Sequence, residues 1–300
     1  MKPSANVAAS VRQRLLNRAR SDKRPFNELL QYYAMERFLY RLSKSLFADR
    51  FILKGALLLR VWDSPEFRPT MDIDMLGKTG NEATKILTSI RNILAVKVEE
   101  DGLVFDSDSL QSEPITEDAD YGGLRIRFRG SLDTARLAMQ LDIEFGDVIY
   151  PGPEKAYLPT MLEYPAPKLL CYSRESVIAE KFEAMIKLGV LNSRMKDFFD
   201  IWLLSRQFNF IGADLAEAIR LTFERRKNSI PATIEPFSES FIKEKQIQWT
   251  AFLEKLKQDN VPSDFKEIVV HLNEFLAPIV AVLIIGKHFS QNWVAPGPWT

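Results

Sequence analysis

Between Phe51 and Met75 the chain reads FILKGALLLRVWDSPEFRPTMDIDM, and this stretch restricts the fold more than any other. A strand-like run, Phe51-Ile52-Leu53, leads into Lys54-Gly55-Ala56 at the head of a helical Leu57-Leu58-Leu59. Pro65 and Pro69 then mark an irregular loop. Met71 to Leu76 alternates apolar and acidic residues with period two, the pattern of a strand buried on one face. Asp72 and Asp74 project from one side of such a strand, and Met71, Ile73 and Met75 supply the packing side. Two neighbouring carboxylates on an apolar strand repel each other and lose hydration, so a divalent cation between them is the natural resolution.

A second strand has the same character. In Leu141-Asp142-Ile143-Glu144-Phe145 the acids Asp142 and Glu144 share one face. Either of them is a candidate third carboxylate, and two metal ions bridging three carboxylates would support an in-line displacement at phosphorus. Gly55 allows close approach of backbone to a phosphate, and helix N-terminal N–H groups favour anions. Together these parts suit a nucleoside triphosphate and its Mg²⁺. A lone Asp-x-Asp also occurs on exposed strands and turns. Its position behind Lys54-Gly55-Ala56 is what raises it above that reading.

Periodicity organises the rest. Residues 5–20 and Phe26 to Leu46 read as helices, Asn81 to Leu94 as another, and Leu103–Phe105, Leu124–Phe128 and Leu137–Phe145 as strands. Five prolines between Pro151 and Pro167 mark a linker or crossing segment. Beyond it the chain reads as helical: Ser173 and Ser176 offer caps for a helix to about Leu188, and Asn192 or Ser193 caps one to about Gln207. The expected division is 1–165 as an α/β part with N-terminal helices and 166–300 as a helical domain.

The composition, 46% hydrophobic and 27% charged, suits a globular chain of 300 residues with a sizeable core. One cysteine, Cys171, excludes a disulfide framework, and two histidines, His271 and His288, leave little for a histidine-based metal centre. Net charge is zero but uneven, with thirteen Lys/Arg against four Asp/Glu in residues 1–60 and nine acids without a base from Glu99 to Asp120. The basic segment fits a phosphate-backbone partner, as do the basic residues of Arg220–Lys227. It equally fits a solvated helix face, or one turned toward the acidic stretch. No secretory signal is apparent. The most apolar run, Phe275 to Ile285, is short for a bilayer and contains Pro278, so a buried C-terminal element and a cytoplasmic protein without membrane association are expected.

The ordered motifs resemble those of polymerase-beta-like nucleotidyltransferases: glycine with a small residue, Asp-x-Asp, then a later strand acid. More narrowly, Lys54-Gly-Ala, Arg68-Pro-Thr70-Met-Asp72-Ile-Asp74, Glu180-Lys181-Phe182 and Arg194-Met-Lys196-Asp197-Phe-Phe-Asp200 resemble the AbiEii toxins of bacterial toxin–antitoxin pairs, over about residues 50 to 205. Ala56 departs from the Gly-Ser or Gly-Gly of many superfamily members. A side-chain contact to phosphate there would pass to backbone N–H groups or Lys54. Taken alone, Lys181 reads as a solvated lysine, and Arg194/Asp197 and Lys196/Asp200 as surface ion pairs.

The resemblance implies a minimal polymerase-beta-like core of α/β class, with a small mixed sheet, N-terminal helices and a C-terminal helical domain. It implies an enzyme transferring a nucleotide from NTP to RNA, the 3′ end of tRNA, and restrained by a cognate antitoxin. Asp72, Asp74 and Asp142 would hold Mg²⁺, while Lys54, Gly55, Ala56, Thr70 and Lys181 would contact the nucleotide. Asp72, Asp74, Lys181 and Asp197 would carry catalysis. The alternatives are a nucleotidyltransferase acting on a protein or small molecule, and a non-enzymatic nucleotide-binding module.

Overall fold

The acidic strands pair inside one mixed sheet. The computed structural model describes residues 5–64, 68–115, 122–258 and 260–300. Pro65, and Glu117, Asp118 and Asp120 of the acidic stretch, lie outside the described residues. Two compact units result: residues 5–146 with 153–172, and residues 147–152 with 173–300.

The first unit opens with α1 (Ala5–Ser21) and α2 (Phe26–Ser43), followed by β1 (Phe51–Lys54), the one-turn α3 (Leu58–Val61), β2 (Ile73–Gly77) and α4 (Ala83–Leu94). Next come β3 (Leu103–Ile115), β4 (Gly123–Leu132), β5 (Ala135–Phe145), β6 (Glu154–Tyr157) and β7 (Lys168–Cys171). The strand order is β3-β4-β5-β2-β1-β7-β6. β2 runs parallel to β5 and antiparallel to β1. β1 is parallel to β7, and the remaining pairs are antiparallel. The mixed sheet is thus present, with seven strands. The proline-rich segment is no free linker, because it supplies β6 to the sheet edge.

The core lies where the alternation puts apolar residues. Ile73 and Met75 of β2, Leu141 and Ile143 of β5, and Ile126 and Phe128 of β4 are all buried. Met71, expected with them, is exposed, because β2 begins only at Ile73. α2 is buried almost all round, as a helix running through a core should be. Its Phe38 meets Phe128 and Phe105 with ring centroids 5.7 and 6.4 Å apart.

Part of the N-terminal positive excess is neutralised within this unit. Arg41 donates to both oxygens of Asp101 at 2.6 and 3.1 Å, and Arg37 to the same carboxylate at 3.4 Å. Arg14 reaches the Tyr164 hydroxyl at 3.3 Å, and Arg18 donates to the Met161 carbonyl. Of the readings of the basic segment, the one in which it faces the acidic stretch holds for Arg37 and Arg41.

The second unit contains α5 (Arg174–Leu188), α6 (Met195–Gln207), β8 (Phe210–Ile211), α7 (Gly212–Arg225), α8 (Glu239–Leu256), α9 (Phe265–Ile284) and β9 (Asn292–Trp293). The Ser173 hydroxyl caps α5 by accepting from the Ser176 N–H at 3.2 Å. Neither Asn192 nor Ser193 caps α6. Arg194 holds the cap position, and Asn192 Oδ1 accepts its N–H at 2.8 Å. α9 is longer than Phe275–Ile285 alone suggests, reaching 20 residues, and is by length and composition the one helix among the described residues able to cross a membrane. Phe265, Ile268, Leu272, Phe275, Leu276 and Ile279 are nevertheless buried within the unit, so it serves there as a core helix. A small antiparallel sheet of β8 and β9, distant in sequence, packs against it through Phe210 and Trp293, whose rings meet Phe275. Trp293 donates to the Ser205 carbonyl at 2.6 Å, and Trp299 to that of Phe275 at 2.9 Å.

Candidate active site

Strand register sets the site. Asp74 on β2 pairs with Asp142 on β5 on one side and with Lys54 on β1 on the other, while Asp142 pairs with Arg125 on β4. Residues in register across a sheet point to the same face. The result is a row, Arg125–Asp142–Asp74–Lys54, running across four strands with a cation at each end. Asp72 stands one step outside β2, and a carboxylate oxygen from each of Asp72, Asp74 and Asp142 lies within 4.8 Å of the others.

Each member is held by identifiable neighbours. The Thr70 hydroxyl donates to Asp72 Oδ1, and the Thr70 N–H donates to the Tyr32 hydroxyl at 3.1 Å. Gln31 of α2 donates to the carbonyls of Met71 at 3.1 Å and Ala138 at 3.0 Å, tying the segment before β2 to β5. Arg125 donates to both oxygens of Asp142, Nε at 2.8 Å and Nη2 at 2.7 Å. Lys54, almost wholly buried, donates to Glu144 at 2.6 Å. The structure thus groups Asp142 with Asp72 and Asp74, and leaves Glu144 as the partner of Lys54.

Gly55 explains itself in this setting. Its φ is +74°, and a Cβ there would lie 1.9 Å from Asp74 Oδ2. The glycine makes room for the carboxylate. The helix behind it is only a 3-10 turn, Gly55–Leu57, and the single turn α3, too short to present much dipole to an anion. Ala56 is buried.

Burial, then Asp72, and to a lesser extent Glu144 and Asp142, push the Asp74 carboxyl up to about 7, against the opposing pull of Lys54. The cluster is short of positive charge. Its donors are carboxylate oxygens alone, half-buried, which fits a hard divalent cation such as Mg²⁺ and not a soft one. Beside it, Asp72 and Gln31 line a cavity of about 820 Å³ whose wall also carries Arg127, Arg129, Arg136 and Gln140.

The other predicted residues meet in the second unit. Lys181 of α5 lies between Asp197 and Asp200 of α6, 2.7 Å from Asp197 Oδ1 and 2.8 Å from Asp200 Oδ2. Both aspartates are buried, so the surface pairs with Arg194 and Lys196 suggested by spacing do not describe them. Of the basic residues in Arg220–Lys227 assigned to a backbone contact, Arg226 is committed elsewhere, to Glu183 at 2.7 Å and Asp147 at 3.3 Å.

Sequence reading missed Arg125, Gln31 and Tyr32. Arg125 was legible in Leu124-Arg-Ile-Arg-Phe-Arg129, where arginines alternate with core residues as the acids do on β2. Gln31 and Tyr32 carry no local signal, since their partners lie 38 to 107 positions away.

A Helicobacter pylori protein described as a candidate nucleotidyltransferase aligns at 17% identity and TM-score 0.48, covering 88% of this chain and 99% of its own. JHP933 from Helicobacter pylori aligns at 17% identity and TM-score 0.46, covering 86% and 94%. A search of curated sequences gives no match. The sequence profile described as "Nucleotidyl transferase AbiEii toxin, Type IV TA system" matches residues 37–271, spanning both the carboxylate row and the Lys181 cluster, and the chain therefore belongs to the AbiEii family of nucleotidyltransferase toxins.

Proposed function

We propose that this toxin transfers a nucleotide from an NTP to an RNA acceptor, the 3′ end of tRNA, in the cytoplasm and in a Mg²⁺-dependent reaction. The observation that carries the reading is the convergence of Asp72, Asp74 and Asp142 beside a glycine that clears space for one of them. Asp72, Asp74 and Asp142 would hold the ion, which when bound neutralises phosphate charge and polarises the α-phosphate.

The protein's own groups do the rest. Thr70 and Gln31 fix the carriage of Asp72, so the carboxylates are set before substrate arrives. The acceptor's terminal hydroxyl enters through the cavity beside Asp72, where the exposed Arg136 meets its backbone. Its oxygen bonds to the α-phosphorus, the bond to the pyrophosphate oxygen breaks, and the hydroxyl proton passes to solvent. Lys181, oriented by Asp197 and Asp200, would contact the triphosphate. A neighbouring antitoxin restrains the activity in the cell.

The test is incubation of the chain with total tRNA and each labelled NTP, with and without Mg²⁺. Label is expected on the tRNA 3′ end only with Mg²⁺, and Asp74→Asn should lower the rate on the order of a hundredfold or more, the scale of losing one preorganised electrostatic contact. Wild-type labelling by Asp74→Asn sinks the assignment. Label on protein with none on RNA changes the acceptor class.

A further inference from the structure

The sequence suggests three carboxylates for two metal ions, yet Asp142 already has a cation. Arg125 covers it side-on, Nε to Oδ1 at 2.8 Å and Nη2 to Oδ2 at 2.7 Å, and Gln140 adds a contact at 3.4 Å. A guanidinium stays charged at every pH the chain meets, and side-on pairing takes one lone pair from each oxygen. The remaining lone pairs can still reach an ion shared with Asp72 and Asp74. A second divalent ion on Asp142 would have to displace Arg125 or sit against its charge.

Charge balance gives the same answer. The row Arg125–Asp142–Asp74–Lys54 is neutral by itself. Asp72 and Glu144 flank it and add two negative charges, the charge that one divalent ion balances. We infer that Arg125 stands in the place of a second metal ion, so that the carboxylates of this chain load a single divalent cation. This rests on the reading that Asp72 and Asp74 hold such a cation. Arg125 is then a positioning residue: it aims Asp142 at the one ion and blocks the site of another.

The test counts ions directly, without any turnover. The full chain is titrated with MnCl₂ and free Mn²⁺ is followed by its electron paramagnetic resonance signal. Wild type is expected to take up one equivalent, Arg125→Gln two, and Arg125→Lys, which keeps a charge there, one. Two equivalents on wild type overturn the inference. So does one equivalent on Arg125→Gln with wild-type affinity. Asp74→Asn is expected to abolish uptake; if it binds Mn²⁺ as wild type does, the metal site itself is misassigned and the role of Arg125 falls with it. Circular dichroism melts accompany each variant, and should Arg125→Gln fail to fold, Arg125→Met, which also removes the charge, is counted in its place with the same two equivalents expected.

Discussion

At Gly55 the backbone and the chemistry meet within one atom's width. A methyl group at this position would overlap Asp74 Oδ2, and φ of +74° is costly for any residue with a Cβ. Gly55→Ala is therefore expected to push the Asp74 side chain out of the row and abolish Mn²⁺ uptake. Loss of stability should exceed the roughly 1–2 kcal/mol of the unfavourable backbone angle, because the added Cβ would also lie 2.8 Å from Asp74 Cβ. Titration with Mn²⁺ beside a thermal melt checks this; wild-type uptake would show that Asp74 has room to spare. The sequence makes the importance of Gly55 readable but suggests phosphate approach as its reason, because nothing local says that residue 74 pairs with residue 54. Lys181 shows the same limit. Spacing along α6 pairs Asp197 and Asp200 with their own helix, while the fold brings a lysine from α5 between them.

Among the elements, α2 has the widest reach. Tyr32 and Gln31, adjacent on a helix that is otherwise mostly core, hold the segment carrying Thr70, Met71 and Asp72. Replacing Gln31 with Met keeps the volume but leaves the Met71 and Ala138 carbonyls without that donor. The expected cost is about 1–3 kcal/mol, read from urea unfolding, together with a fall in transfer rate from a loosened Asp72. Unchanged unfolding and rate would mean that water replaces the amide at no cost. Strands β2, β4 and β5 are legible because one face is core and the other charged, which fixes the period at two. β3 is legible only at its start: Asp106 to Gln111 is polar and interrupts the pairing register, so no alternation extends it to Ile115. β6 to β9 are two to four residues long, too short for any period to show.

At the scale of the whole molecule, each unit buries its own core, and the first unit runs on through β7 to Tyr172 instead of ending where the pattern changes near residue 165. What composition hides is a titration in the second unit. His271 hydrogen-bonds the Ser205 hydroxyl at 2.8 Å and meets the Trp293 ring edge-on. Burial, and to a lesser extent Arg206, lower its imidazole from 6.5 to about 4. A depressed folded-state value means that the neutral ring is favoured, so this stability is complete above pH 6.5 and is lost as pH falls through 4. The imidazole resonances should titrate near pH 4, and His271→Gln should flatten the fall in melting temperature across that window. A midpoint near 6.5 would show the ring to be solvated.

The charged row and the core occupy opposite faces of the same strands. Asp74 and Asp142 alternate with Ile73, Met75, Leu141 and Ile143, which are buried to within 1% of full exclusion from solvent. Sliding β2 by one residue against β5 would turn both sets over at once. Replacing one carboxylate is expected to leave both the register and the apolar side in place, since neither rests on it. Inactivation and misfolding are thus separable outcomes for this gene. Cells that escape the toxin by a change in the row would be expected to keep it as an intact, inert protein at ordinary abundance, whereas changes at Ile73 or Ile143 would remove the protein itself.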